Sequence, residues 1–192
     1  GTQTRSYGAA EAEAHDDHDH DHHHDHDHDH DHGDHDHGDH DHAHDGTDPH
    51  AWLNPQNAVT WLDAIARTLS EQDPENAQTY QANARAAAER LTALDATLTA
   101  RLAPVAEARF VVFHDAYGYF TEHFGLQPAI PVALGDASTP SAARIAEIRA
   151  QIAQSGATCA FPEYAHDPAL IATVTEGSTL TLGGELSPEG GA

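Results

Sequence analysis

The sequence concentrates metal-ligating side chains in one tract near its amino terminus. Between His15 and Asp45 it places fifteen histidines and thirteen aspartates, mostly as alternating His-Asp dipeptides. Neutral imidazole suits zinc, copper and nickel, and the aspartates add a negative field that concentrates cations. The alternatives are a solvated linker and an expression tag, although a purification tag would be uninterrupted histidine. We expect a low-affinity metal-binding tract made of His15, His18, His20, His22, His23, His24, His26, His28, His30, His32, His35, His37, His40, His42 and His44.

Two histidines outside the tract lie at positions where a metal-binding site is expected. His114 ends the apolar run of residues 109–114, a predicted buried strand, and the carboxyl end of a parallel strand faces the ligand crevice in open sheets. His50 lies in residues 48–55, DPHAWLNP, directly before a predicted helix. Both are candidate metal ligands, and the alternative for each is a structural histidine that satisfies its surroundings.

A carboxylate ends a second predicted buried strand. Glu163 closes residues 157–163, where it could ligate a metal ion or orient a ligating histidine through a hydrogen bond. His166 follows three residues later, and we interpret it as a loop residue before the helix cap Asp167 rather than as a ligand.

Strand and helix signals alternate after Pro104, and these elements must position the candidate residues. Apolar runs predict strands at 109–114, 128–134, 157–163 and 178–184, with helices at 116–125, 139–156 (capped by Thr139) and 167–177 between them. This alternation predicts an α/β fold with a four-stranded parallel sheet flanked by helices.

Two helices are predicted ahead of the sheet. Asn54 and Pro55 suit the cap and first position of a helix over 54–72, whose apolar face is Val59, Leu62, Ile65, Ala66 and Leu69. Asp73 is expected to cap a long helix over 73–104, which at 1.5 Å per residue would span roughly 45 Å. A helix of that length is longer than a small domain needs, and we expect it to act as a strut.

The chain is expected to have three parts. Residues 1–47 have almost nothing apolar to bury and predict a disordered His/Asp-rich loop. Residues 48–104 are the helical linker with the long strut helix, and residues 105–192 are a carboxy-terminal α/β lobe.

Composition excludes several classes of function. The net charge is −24 and lysine is absent, so nucleic acid and anionic membrane surfaces are poor partners. Cys159 is the single cysteine, which rules out a disulfide within the chain. No apolar run is long enough for a membrane span, so direct membrane insertion is not expected.

The motifs DPHAWLNP and FHDAYGYF (residues 113–120), behind an acidic His-rich tract, resemble the zinc-binding receptors of bacterial ABC importers, the ZnuA type. The resemblance covers residues 15–186 and implies two α/β lobes joined by a long helix. It places the family's histidine ligands on His50 and His114 and the carboxylate that coordinates metal in manganese relatives, and lies near it in zinc members, on Glu163. It also implies a monomeric periplasmic receptor that captures Zn²⁺ and delivers it to an ABC permease.

The sequence departs from that family in four places. By comparison with that family, we expect the amino-terminal lobe, with a further histidine ligand, and the closing helix to be missing. Ser187 stands where the family often has the Asp of an LDP motif, and Cys159 lacks the partner present in some members. We therefore expect the carboxy-terminal part of a receptor.

Two other functions remain as alternatives. A stand-alone zinc buffer would store ions on the tract without contacting a permease. A hydrolytic metalloenzyme would need an open zinc position and a general base, and no HExxH or similar arrangement is present, so we do not expect an enzyme.

Overall fold

Four parallel strands form one sheet, as the alternation of apolar runs predicts. A computed structural model of the chain describes residues 1–6, 46–133 and 140–191, and every structural statement concerns these ranges. The strands are β1 Phe110–His114, β2 Ile130–Ala133, β3 Cys159–Ala160 and β4 Thr181–Leu182, in the order β2-β1-β3-β4. The predicted α/β class with a four-stranded parallel sheet is confirmed, and all carboxyl ends share one edge.

Strands β3 and β4 are much shorter than the predicted runs over 157–163 and 178–184. Each has two residues, and the ladder resumes only as an isolated parallel bridge between Glu163 and Leu186. Pro162 lies in the interval, and a proline has no backbone N–H to donate to a sheet ladder.

Five α-helices accompany the sheet in the described ranges. They are α1 Pro55–Gln72, α2 Ala77–Leu102, α3 Gly118–Phe124, α4 Ala142–Ser155 and α5 Ala169–Thr175. The predicted cap of α1 is confirmed, because the Asn54 side chain accepts the backbone N–H of Gln56.

Two other predicted caps are wrong. Asp73 does not cap α2, because a 3-10 turn over Pro74–Asn76 comes first and the Asp73 carboxylate accepts hydrogen bonds from Asn76 and Tyr80 instead. Helix α2 therefore has 26 residues. Ser141 caps α4 through its hydroxyl, and the predicted cap Thr139 lies outside the described residues.

The main core lies on one face of the sheet, under α4 and α5. Alternate residues of β1 point to opposite faces, so Val111 and Phe113 pack into this core while Val112 faces the other side. The nine buried members are Val111, Phe113, Ile130, Val132, Ile148, Ile152, Ala160, Ile171 and Val174. On the other face Val112, Ala116 and Tyr117 form a smaller cluster with Leu53 and Leu186.

The predicted apolar face of α1 is only partly buried. Ala66 is buried, but Ile65 is 54% exposed and Leu69 is 38% exposed. Ile65 and Leu94 of α2 line an apolar groove on the α1–α2 pair. Among the described residues, no helix is both long and apolar enough to cross a membrane.

Gly1–Thr4 and Asp48–Ala192 form one compact unit, and Arg5–Thr47 form another. Most of the predicted His/Asp-rich loop, residues 7–45 with all fifteen tract histidines, lies outside the described residues. The division of residues 48–192 into a helical linker and a lobe stays a prediction.

Candidate metal centre

His114 reaches the site because it is the last residue of β1. Val112 and His114 have the same parity on the strand, so the imidazole lies on the face opposite the main core, and the side chain is 2% exposed. The Nδ1 atom of His114 lies 2.7 Å from Oε2 of Glu163. An ionised carboxylate only accepts hydrogen bonds, so Nδ1 carries the proton and donates it.

A carboxylate also orients His50, which lies in a different segment of the chain. It precedes the short 3-10 turn Ala51–Leu53 that leads into α1. Oδ1 of Asp48 accepts both the backbone N–H of His50 at 2.9 Å and the ring Nδ1 at 2.8 Å. Asp48 is 1% exposed, and its backbone carbonyl accepts the Tyr119 hydroxyl at 3.2 Å. The imidazole therefore has a fixed orientation with Nε2 turned away from Asp48.

The Nε2 atoms of His50 and His114 lie 3.3 Å apart. Because Nδ1 carries the proton in each ring, a neutral imidazole presents a lone pair at Nε2. Two lone pairs at this distance repel each other unless a proton or a metal cation lies between them. The structure thus brings together the two histidines that the sequence singled out, with their Nε2 atoms facing one point.

Glu163 lies beside this pair and uses both carboxylate oxygens. Oε2 accepts the His114 proton, and Oε1 lies 3.3 Å from Nε2 of His166. Glu163 is 4% exposed, while the His166 side chain is 26% exposed and its ring lies 4.3 Å from that of Phe113. Of the two roles that the sequence left open, these contacts favour orientation of His114 over direct ligation. His166 lies in the loop before α5, as expected. The cap residue of α5 is Pro168 rather than the predicted Asp167, although the Asp167 carboxylate accepts the Ala169 N–H at 2.9 Å.

Sequence reasoning missed Glu189. Among the described residues, ligand atoms of His50, His114 and Glu189 lie within 4.8 Å of one another, and Glu189 is the exposed member of this group. It follows Ser187 by two positions, in the segment where the expected family Asp is replaced. The replacement of the family Asp by Ser187 could have indicated Glu189, because Glu189 is the next carboxylate along the chain.

Tyr117 contributes to the electrostatics of the site. Its side chain is 9% exposed, and its hydroxyl has no hydrogen-bond partner among the described residues. Burial raises the pKa of the Tyr117 phenol well above its usual value, and the negative charges of Glu163 and Glu189 raise it further. The phenol is therefore neutral at physiological pH, and the nearby negative charges favour a cation.

A fourth histidine outside the tract has a structural contact. Nε2 of His123 lies 2.7 Å from Oδ1 of Asp95, which joins α3 to α2. Burial raises the pKa of the Asp95 carboxyl, but hydrogen bonds from His123 and Gln56 outweigh burial and hold it below the usual value. This pair serves as a histidine control that lies away from the His50–His114 centre.

Comparison with known proteins identifies zinc-uptake proteins as relatives. The family described as zinc-uptake complex component A, periplasmic (ZnuA) matches residues 3–190. The high-affinity zinc uptake system protein ZnuA of Paracoccus denitrificans is 63% identical over 145 residues, which is 76% of this chain and 44% of that protein. The protein of the same name from Brucella abortus is 44% identical over 143 residues, which is 74% of this chain and 42% of that protein.

Solved structures agree with these sequence matches. A crystal structure of ZnuA superposes with a TM-score of 0.66 at 28% identity, covering 73% of this chain and 52% of that one. A Zn(II)-bound variant of AdcAII from Streptococcus pneumoniae superposes with a TM-score of 0.66 at 27% identity, covering 78% and 54%. The chain thus spans less than half the length of the curated relatives and about half the length of the structural ones.

Proposed function

Since the chain belongs to the ZnuA family of periplasmic zinc-uptake components, we propose that it is the metal-holding part of a zinc receptor. In this proposal it captures Zn²⁺ in the periplasm and delivers it to the membrane permease of an ABC importer. Zinc is cargo here, so the centre must bind it tightly and also release it. We propose that the receptor acts as a monomer.

One observation carries the proposal, namely the two Nε2 atoms that face each other at 3.3 Å. Zinc binds imidazole nitrogen at about 2.0–2.1 Å in tetrahedral geometry, which places two ligand nitrogens about 3.3 Å apart. The His50–His114 pair already has this separation. A zinc ion would therefore need little movement of either ring, and the ring repulsion would be replaced by two coordinate bonds.

The surroundings of the pair match the usual support of a zinc site. A ligating histidine generally donates its other ring N–H to a carboxylate or carbonyl, which fixes the ring and increases the basicity of the ligating nitrogen. Asp48 and Glu163 do this for His50 and His114. We infer that both carboxylates are orienting residues and that Glu163 acts through His114.

Glu189 is our proposed third ligand. Its ligand oxygen lies within 4.8 Å of the two histidine nitrogens, and its exposed side chain can rotate over the remaining distance. Two imidazoles and one carboxylate favour zinc over calcium or magnesium, which prefer all-oxygen sites. Three protein ligands leave one tetrahedral position for a further ligand or water.

The His/Asp tract is proposed to collect zinc and pass it to the centre. Its residues lie outside the described ranges, so composition alone supports this role. Uptake of zinc by cells with a tract-deleted receptor tests it, because unchanged uptake under zinc scarcity would count against collection.

Zinc affinity of histidine variants tests the centre itself. The background is the full chain with the fifteen tract histidines replaced by Asn, so that weak sites do not obscure the tight one. We expect His50→Ala and His114→Ala to abolish tight binding, while the matched control His123→Ala retains it. Tight binding that survives both substitutions would refute the assignment.

Delivery to a permease separates the receptor from a buffer. We expect zinc-loaded protein to bind membranes that contain the cognate permease and to lose zinc during transport. A protein that holds zinc but never associates with those membranes would be a storage protein. We propose no catalytic role, and an assay for zinc-dependent hydrolysis should remain negative.

A further inference from the structure

We propose that Trp52 is a latch that holds the C-terminal strap, residues 186–191, against the His50 segment and thereby positions Glu189 at the metal centre. The inference rests on the zinc-binding function proposed above and adds a positioning residue to that site.

Trp52 contacts both sides of the junction that the latch would close. Its indole Nε1–H donates to the backbone carbonyl of Pro188 at 2.8 Å, directly before Glu189 in the chain. The same indole meets the His50 imidazole edge to face, with ring centroids 5.4 Å apart. One side chain thus touches a proposed zinc ligand and holds the neighbour of another.

Among the described residues, the other hydrogen bonds from the strap to the rest of the unit lie at its beginning. Leu186 donates its N–H to the carbonyl of Pro162 and accepts from Tyr164, each at 2.8 Å. Beyond that point the strap bonds to itself, from the Ser187 hydroxyl to Gly191 and from the Gly190 N–H to Ser187. Beyond Leu186, one hydrogen bond joins the strap to the rest of the unit among the described residues. It is the bond from Trp52 to Pro188.

Loss of this bond should therefore free Glu189 rather than unfold the protein. Pro188 is buried while Glu189 is exposed, so the carbonyl at Pro188 is the last fixed point before the ligand. Trp52 is itself 41% exposed. Replacement by Phe removes the indole donor and keeps an aromatic ring beside His50, which separates the latch from simple packing.

The test measures zinc affinity by competition with a chromophoric chelator, in the full chain with tract histidines replaced by Asn. The variants are Trp52→Phe, Glu189→Gln and the double variant. Trp61→Phe is the matched control, because Trp61 also donates its indole N–H, to Thr2 at 2.9 Å, but lies on α1 away from the centre.

We expect Trp52→Phe to weaken zinc binding about tenfold, as the loss of outer supporting contacts commonly does. Trp61→Phe should bind like the parent. The double variant should bind no more weakly than Glu189→Gln alone, because the latch acts only through Glu189. A merely structural role of Trp52 would instead make the two losses multiply.

Two outcomes would overturn the latch. One is parental zinc affinity in a folded Trp52→Phe protein, and the other is multiplicative losses in the double variant. The proposed function would fail separately, if His50→Ala and His114→Ala also kept parental affinity.

If Trp52→Phe does not fold, fluorescence supplies the measurement. In Trp61→Phe, Trp52 is the one remaining tryptophan, so its emission reports the junction. The latch requires that saturating zinc change this emission and that Glu189→Gln reduce the change, since the remaining part reports zinc at His50 alone. An emission that ignores zinc would refute it.

Discussion

Replacing Glu163 by Gln tests whether this buried carboxylate orients His114 or binds zinc itself. Glu163 Oε2 accepts the His114 Nδ1–H at 2.7 Å between side chains that are 4% and 2% exposed. A hydrogen bond to a charged group contributes about 1.5–3 kcal/mol. Since about 1.4 kcal/mol corresponds to a factor of ten, Glu163→Gln should weaken zinc binding roughly 10- to 100-fold, with His114 still bound.

Chelator competition gives the affinity, and X-ray absorption of the zinc-loaded protein gives the ligands. The measurements use the chain with tract histidines replaced by Asn. The control variant is Glu122→Gln, because Glu122 is an exposed carboxylate on α3. An orienting Glu163 predicts weaker binding with an unchanged set of nitrogen and oxygen ligands. Loss of an oxygen ligand from zinc in Glu163→Gln, or unchanged affinity, would refute the reasoning.

Three further predictions follow from acid–base chemistry and backbone geometry. Zinc affinity should be lower at about pH 5 than at about pH 7.5, because protonated imidazole cannot ligate, and calorimetry at both values checks this. Asp95→Asn should lower the free energy of unfolding by about 1 kcal/mol at neutral pH. Because the folded pKa of Asp95 is depressed, its stabilisation is present above the unfolded pKa and is lost as pH falls through the folded value. Urea unfolding of Asp95→Asn and the parent should therefore converge in acid. Gly125→Ala should cost about 1 kcal/mol in urea unfolding, since Gly125 ends α3 at φ +64°, whereas Gly184→Ala, with no such φ, should cost less.

The sheet could be predicted from sequence because its signals are local. An apolar run such as Phe110–His114, bounded by polar residues and followed by a short helix, predicts a buried strand. Parallel pairing then follows from the helix between strands. His114 could be placed at the carboxyl edge by the same logic, without knowledge of its partners.

The contacts of the site could not be predicted, because they join distant segments. His50 and His114 are 64 residues apart, and His114 and Glu163 are 49 apart. No periodicity specifies a 3.3 Å separation between ring nitrogens. The prediction of Asp73 as the cap of α2 is wrong for a local reason: its carboxylate accepts hydrogen bonds from Asn76 and Tyr80 instead.

The exposure of apolar residues on α1 also could not be predicted. Ile65 and Leu69 follow the helical period of α1, yet Ile65 is 54% exposed and lines the open groove with Leu94, and Leu69 is 38% exposed. Periodicity identifies the side of a helix that is apolar, but it does not say whether another element covers that side.

The centre divides into a rigid half and a movable half, and this division suits a carrier. His50 and His114 are buried, and each is fixed by a buried carboxylate, so their geometry is set before the ion arrives. Preorganisation of this kind reduces the cost of binding. Glu189 is exposed and lies on a strap whose outer part is tied down by one indole hydrogen bond. The proposed receptor must release zinc without dismantling its fold, and rotation of Glu189 away from the centre would remove one proposed ligand while leaving the sheet and the histidine pair intact. The buried half would then keep its geometry throughout, while Glu189 on the strap would add affinity when bound and allow release when it rotates away.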